Sequence, residues 1–164
     1  MSTLPYETEF DSEFATILNE RLPACANDDD VRNLSESDKT VFLIMYFDCQ
    51  VVNGGIEQWF RNPTGAFTHE TLAALDRVGA DVTAGIVREL HTMFSGVDIS
   101  QDYEERNMQF DVLPDKSKNR LQDLSDIYCE SREGGQIFER TCRFVYELRP
   151  GKSEKQTESE KGKP

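Results

Sequence analysis

Carboxylates are the side chains that are numerous and clustered enough in this sequence to do chemistry. The chain carries 31 acidic and 18 basic residues among 164, a formal net charge of −13. Ten acids against three bases fall in residues 1–40, and ten against five fall in residues 97–133. The acidity therefore forms two blocks, although carboxylate pairs are too common here to indicate acid–base catalysis. Such a charge repels nucleic acid and anionic membranes and attracts basic partners.

Other groups that could catalyse a reaction are sparse. His69 and His91 are the only histidines, neither lies in a hydrolase or zinc motif, and we expect ordinary surface roles for both. No C-x-x-C pair occurs among the four cysteines, and Cys49 and Cys142 are expected to be small, reduced core residues. We therefore predict that the protein is not an enzyme and needs no metal and no cofactor.

Two short motifs could bind ions, but each lacks the surrounding pattern. The run Asp28, Asp29 and Asp30 has neither the alternating ligands nor the glycine of a calcium loop, so a solvated loop over 23–33 is expected. Gly54 and Gly55 precede a predicted helix, but no lysine accompanies them and no strand leads into the turn. We expect these glycines to let two helices approach closely rather than to bind phosphate.

The most apolar stretch, residues 41–60, predicts the central helix around which the other elements pack. Ser35 offers an N-cap with Asp38 three residues on, and Asn53 with the two glycines marks the end of the helix. Apolar residues occupy several sides of this helix, which predicts that other elements surround it. After the turn, Trp59 and Phe60 are predicted to point inward from a short helix.

The remaining chain also reads as helical, with apolar residues at helical spacing and no lasting strand alternation. Helices are predicted at 9–21, from an N-cap at Thr68 to Gly79, from an N-cap at Asp81 to Gly96, around 121–128, and over 137–148. Residues 97–116 are predicted to be irregular, with one or two helical turns near Tyr103. The sequence thus predicts an all-α fold, a single globular bundle of about seven helices over 1–150, with a disordered polar tail at 151–164. Lacking a signal sequence or membrane span, the chain is expected to be cytoplasmic.

The central stretch resembles a known family. The pattern is carried by Asn53, Gly54 and Gly55, then Gln58, Trp59 and Phe60 with Asn62, followed by Ala74-Leu75 and Val78-Gly79-Ala80. It is similar to the bacterial family of DNA-mimic proteins named for its 19-kilodalton founder, over roughly residues 38–95. The resemblance implies an all-helical domain without enzymatic activity, whose founding member uses surface acids to occupy DNA-binding proteins. Gln50 departs from the carboxylate expected in many relatives.

Our leading hypothesis is an acidic binding protein, a DNA mimic that occupies a basic or DNA-binding protein such as a regulator or nucleoid-type protein. The family motif is then scaffold, and the phosphate-mimicking carboxylates lie in the two acidic blocks. They are Asp11, Glu13, Glu20, Asp28, Asp29, Asp30, Asp98, Asp102, Glu104 and Glu105. The alternative is a protein-interaction module, an immunity or regulatory protein, whose acidity serves solubility only. The sequence leaves a homodimer open.

Overall fold

The structure is a computed structural model that describes residues 28–94, 96–131 and 133–147. Within these ranges the chain forms seven α-helices and no strand. They are α1 (Asp28–Arg32), α2 (Glu36–Arg61), α3 (Thr68–Arg77), α4 (Asp81–Met93), α5 (Tyr103–Asp111), α6 (Asp115–Glu130) and α7 (Ile137–Glu147), with 3-10 turns at Pro63–Phe67 and Gly134–Gln136. The prediction of an all-α fold of about seven helices is confirmed. The predicted helix at 9–21 and the predicted tail lie outside the described residues.

Helix α2 begins as predicted and bends where the glycines stand. The Ser35 hydroxyl accepts a hydrogen bond from the backbone N–H of Asp38 at 3.1 Å, satisfying one of the free donors at the helix start. The helical geometry is interrupted at Gly54 and Gly55 and then resumes to Arg61. The predicted pair of helices joined at the Gly-Gly turn is therefore confirmed.

One side of α2 faces solvent, so the expectation that other elements surround this helix is wrong. Tyr46, Cys49, Val52 and Asn53 are exposed, at spacings of three or four residues that follow one helical stripe. Cys49 is consequently not a core residue, whereas Cys142 is buried as predicted. A continuous apolar run therefore does not make every one of its side chains internal.

The buried apolar residues that the structure describes form two clusters, and α2 contributes to both. The larger cluster packs α2 against α4, α5 and α6 and contains Phe47, Trp59, Leu90, Phe110 and Leu124. The smaller cluster joins the first half of α2 to α1, the 3-10 turn after α2, and α7; it contains Val31, Phe42, Phe67 and Val145. Because α2 contributes to both clusters, it is the element that holds the acidic segments on a common scaffold.

Helices α3 and α4 lie where the sequence predicts them, but their predicted caps are wrong. Thr68 and Asp81 are the first helical residues, and neither helix has a side-chain cap from the residue before it. In α4 the backbone N–H of Thr83 is satisfied by Glu133, whose Oε2 accepts it at 2.6 Å and the Thr83 hydroxyl at 2.8 Å. The cap comes from 50 residues away, which local sequence patterns cannot indicate.

The second half of the chain is more helical than predicted. Helix α5 spans nine residues of a segment expected to be irregular, and α6 begins at Asp115, before the predicted stripe. Ile127 of that stripe is exposed, as is Phe138 of α7. Polar helices like α5 are held by a few buried anchors rather than by a continuous apolar face.

Candidate partner-binding surface

The family motif forms the bend in α2, and its backbone explains the glycines. Gly55 has φ 76° and ψ 179°, a conformation that is essentially restricted to glycine. The next backbone N–H, that of Ile56, donates to the buried Ser125 hydroxyl of α6 at 2.9 Å. Ser125 in turn donates to the Leu121 carbonyl at 2.8 Å. A side chain on another helix thus caps the restarted helix.

Amides brace the outer side of this bend. The Gln50 side-chain oxygen accepts hydrogen bonds from the amide groups of Gln58 at 2.8 Å and Asn62 at 2.5 Å. Asn53 donates to the Cys49 carbonyl at 2.7 Å. Since the Gln50 side-chain oxygen accepts both hydrogen bonds, a carboxylate oxygen at this position could accept the same two. The departure at Gln50 therefore leaves the bend intact.

The aromatic pair of the motif is internal. Trp59 and Phe60 are fully buried. Trp59 packs edge-on against Phe47, with ring centroids 4.8 Å apart, and Phe60 stacks on Phe94 at 5.1 Å. Burial of these rings and the hydrogen bonds at the bend give the motif a structural part, leaving the exposed carboxylates as candidates for recognition.

A buried arginine fixes the second acidic segment to the end of α2. Arg106 of α5 is 1% exposed. Its guanidinium donates to the carbonyls of Phe60 at 2.9 Å and Asn62 at 3.1 Å. It also donates to the carbonyls of Ser100 at 3.2 Å and Gln101 at 3.0 Å. One side chain thereby fastens the loop before α5 to the scaffold formed by the motif.

The carboxylates of this second segment are exposed, and two of them also stabilise local structure. Asp102 caps α5 by accepting from the backbone N–H of Glu105 at 2.9 Å. Glu105 accepts from the Ser100 hydroxyl at 2.7 Å. Asp98 and Glu104 are exposed as well. Acids in the first turn of a helix interact favourably with its N-terminal partial positive charge. Helix α5 therefore tolerates the clustering of these carboxylates at its start.

The first acidic segment is helical, and the expected loop at 28–30 is therefore wrong. Asp28, Asp29 and Asp30 open α1, whose Val31 enters the smaller core cluster. Arg32, at the end of α1, lies over the Phe67 ring, with its guanidinium carbon 5.2 Å from the ring centroid. The burial of Val31 and the packing of Arg32 on the Phe67 ring anchor this short segment. These two contacts explain why five residues without helical periodicity form a helix here.

The two acidic segments meet through one hydrogen bond. Arg32 donates to the Gln101 side-chain oxygen at 2.8 Å, across 69 residues of chain. This contact brings the end of α1 beside the loop that leads into α5. We call the group formed by Asp29, Asp30, Asp98, Asp102, Glu104 and Glu105 the acidic end. Asp28 is described only as part of the α1 backbone, and Asp11, Glu13 and Glu20 lie outside the described residues.

Cations are distributed unevenly around the described part of the chain. Asp29, Asp98, Asp102, Glu104 and Glu105 form no ion pair with any described residue. Six arginines do pair with carboxylates, and they lie at the end of α2 and on α3, α4, α6 and α7: Arg61, Arg77, Arg88, Arg120, Arg140 and Arg143. These five carboxylates of the acidic end are therefore not neutralised by an ion pair within the described part of the chain.

Other carboxylates are engaged in the interior. Asp48 accepts from the Tyr128 hydroxyl at 2.6 Å, and burial together with this hydrogen bond raises the pKa of Tyr128 well above its ordinary value. Glu133 caps α4 and also approaches Arg140 at 3.9 Å. Both acids serve the fold, and because Glu133 belongs to the block at 97–133, the count of acids in that block overstates the charge available to a partner.

The histidines contact one another rather than standing apart on the surface. The rings of His69 and His91 lie with centroids 4.5 Å apart, and Nε2 of His91 is buried with no hydrogen-bond partner among the described residues. Burial, and secondarily the charge of His69, lowers the pKa of His91. The expected surface role is thus wrong for His91, which is half-buried.

The described ranges contain neither a metal-binding cluster nor a membrane-spanning helix. No three or more His, Cys, Asp or Glu side chains within those ranges are grouped so as to hold a metal ion. Among the helices described, none combines the length and the apolar character needed to cross a membrane.

The fold and this surface define an all-helical acidic protein built on a bent central helix. Comparison with family models matches residues 32–147 to the DMP19-like protein family, and the chain belongs to that family. The match covers every helix from α2 to α7 and the motif at the bend, confirming the resemblance read from the sequence. It is a family of the DNA-mimic type and not a known enzyme family. Comparisons with curated proteins and with solved structures find no match.

Proposed function

We propose that this protein is a DNA mimic that occupies the DNA-binding surface of a basic protein, such as a regulator or nucleoid-type protein, through the carboxylates of the acidic end. The observation that carries the proposal is the Arg32–Gln101 hydrogen bond, because it joins the two acidic segments of the sequence. Membership of the DMP19-like family supports the same function. Asp28 and the acids Asp11, Glu13 and Glu20 belong to the proposed surface on sequence grounds.

The physical basis is the similarity between a rigid array of carboxylates and a phosphate backbone. Duplex DNA carries one charge per about 1.7 Å of axis, counting both strands. Carboxylates on one helical face lie roughly 5–6 Å apart, and two adjacent acidic segments shorten the spacing between charges. Holding such charges close to one another costs electrostatic free energy in the folded protein. A basic partner relieves that repulsion on binding.

A pull-down with matched variants tests the proposal. The test variant, Asp29→Asn with Asp98→Asn and Glu104→Gln, removes three charges from the acidic end and spares the Asp102 cap. The control, Asp81→Asn with Asp126→Asn and Glu130→Gln, removes three exposed charges elsewhere. Asp81 opens α4, whose 13 residues extend for about 20 Å before the chain reaches the acidic end. Asp126 and Glu130 lie near the C-terminus of α6, which Glu133 joins to the start of α4.

Wild type and control are expected to recover a DNA-binding protein from lysate at low salt, and the test variant is expected to lose it. High salt and added duplex DNA should release the partner from wild type. Equal recovery by all three proteins would favour the alternative, an interaction module whose acidity serves solubility. Recovery of no basic or DNA-binding protein by wild type at low salt would overturn the proposal.

A further inference from the structure

Helix α5 presents one carboxylate and two large apolar side chains along one outward stripe. Its inner side is set by Arg106 and Phe110, both 1% exposed. Residues 104, 108 and 112 follow each other at intervals of four, so they lie on one face across two turns. Met108 is 61% and Val112 81% exposed, and Glu104 precedes them on the same face. The stripe therefore runs from the acidic end to two uncovered apolar groups.

Single exposed apolar residues are normal on a protein surface, so position decides whether these two are informative. Val112 is the most exposed large apolar side chain in the described ranges. It lies one turn beyond Met108, which itself lies one turn beyond Glu104. Glu104 has no ion-pair partner among the described residues. An occupant of this stripe must accordingly offer both cations and an apolar group.

Surfaces that read DNA have that composition. They carry cations that meet phosphates, and apolar groups that meet thymine methyls in the major groove. We infer that Met108 and Val112 give a DNA-binding protein the apolar contact that thymine methyls give it on DNA, beside the carboxylate of Glu104. The inference rests on the proposed function and adds a second, non-electrostatic component to the same surface. The partner then recognises both carboxylates and apolar side chains on this protein, as it recognises both phosphates and thymine methyls on DNA.

Two synthetic helical peptides of equal charge serve as probes for this inference. One carries lysines near one end and leucines near the other, all on a single face so that both can lie along the stripe, and in the second each leucine is replaced by glutamine. Binding is measured by fluorescence anisotropy over a series of salt concentrations. The test protein is Met108→Ser with Val112→Ser, and its matched control is Val52→Ser with Val82→Ser, which removes two exposed apolar groups from α2 and α4. Circular dichroism verifies that both variants keep the wild-type fold and melting behaviour.

Wild type is expected to bind the lysine–leucine peptide about tenfold more tightly than the lysine–glutamine peptide, as expected for burial of two apolar side chains. The Met108–Val112 variant should lose that advantage while keeping its affinity for the lysine–glutamine peptide and its salt dependence. Equal binding of both peptides by wild type, or an equal loss in the Val52–Val82 control, would overturn the inference.

Failure of the proposed function produces a different pattern. The variant Asp98→Asn with Glu104→Gln should bind both peptides more weakly and with a shallower salt dependence. If this variant binds both peptides as wild type does, the acidic end is not the recognition surface, whatever the Met108–Val112 variant shows. The apolar and the electrostatic components are thus tested by separate readouts.

Discussion

The guanidinium of Arg32 donates a hydrogen bond to the side-chain oxygen of Gln101, and this contact ties the first acidic segment to the second. The same guanidinium lies over the Phe67 ring. Like charges repel, so α1 would otherwise be pushed away from the loop before α5. Arg32 supplies both a bond and a compensating charge where the two segments meet.

Replacing Arg32 by alanine should loosen α1 without unfolding the protein. Because the contact is exposed, we expect a loss of no more than about 1 kcal/mol in the free energy of unfolding. Hydrogen–deuterium exchange of the α1 amides should accelerate, and affinity for a DNA-competed partner should fall. Arg143→Ala is the matched control, since Arg143 pairs with Glu139 within α7. Unchanged exchange in α1 would contradict the assigned role of Arg32.

Substitutions at Asp102 should separate its role as the cap of α5 from its negative charge. Asp102→Ala removes both and should lower the free energy of unfolding by about 1 kcal/mol, because the Glu105 N–H loses its acceptor. Asp102→Ser keeps a capping oxygen and removes only the charge, so it should retain nearly all of the stability. Chemical denaturation measures the first effect, and partner affinity measures the second. If the serine variant were as unstable as the alanine variant, the cap would not explain the loss.

Gly55→Ala should destabilise the fold without selectively removing binding. Its φ of 76° with ψ near 180° is strained for any residue with a Cβ, at a cost of about 1–3 kcal/mol. Gly54→Val should act in the same direction, since an added Cβ meets the Gln58 side chain. Gly85→Ala is the control: nothing lies within 4 Å of an added Cβ in α4, and alanine there should stabilise by about 0.5–1 kcal/mol. A folded Gly55 variant that cannot bind would place the motif in the recognition surface.

His91 should make stability depend on pH near neutrality. Its pKa in the folded protein is lowered from 6.5, so the unfolded chain binds more protons in this range. The free energy of unfolding should therefore fall as pH decreases below about 7. Urea midpoints measured across this range should show the slope in wild type and lose much of it in His91→Gln. His69→Gln should keep most of the slope, because burial is the larger cause; equal slopes in all three proteins would exclude this origin.

Local signals predicted the scaffold well. Ser35 and Asp38 lie close together in sequence and form the predicted cap, and the Gly54–Gly55 break follows from glycine's tolerance of unusual backbone angles. Family membership follows from the same stretch. These features depend on neighbouring residues alone, which is why the sequence suffices for them.

Features that depend on distant residues were missed. Sequence reasoning treats arginine as exposed, so the buried Arg106 and the helix it anchors were not predicted. The pattern of Asp102 followed three residues later by Glu105 is a capping signature and could have indicated the start of α5. Nothing near Thr83 in the sequence points to Glu133, and nothing near Arg32 points to Gln101. The contact between the two acidic segments is a tertiary contact, which forms only when the helices pack together.

The hydrogen bond from the Ile56 N–H to the Ser125 hydroxyl also has a consequence for the order of folding. The chain is synthesised from its N-terminus, so the bend at Gly55 leaves the ribosome long before the residue that completes it. Until α6 is present, water must satisfy the Ile56 donor, and closing the intervening loop costs chain entropy. The central helix therefore acquires its final shape late, when the last third of the domain has docked.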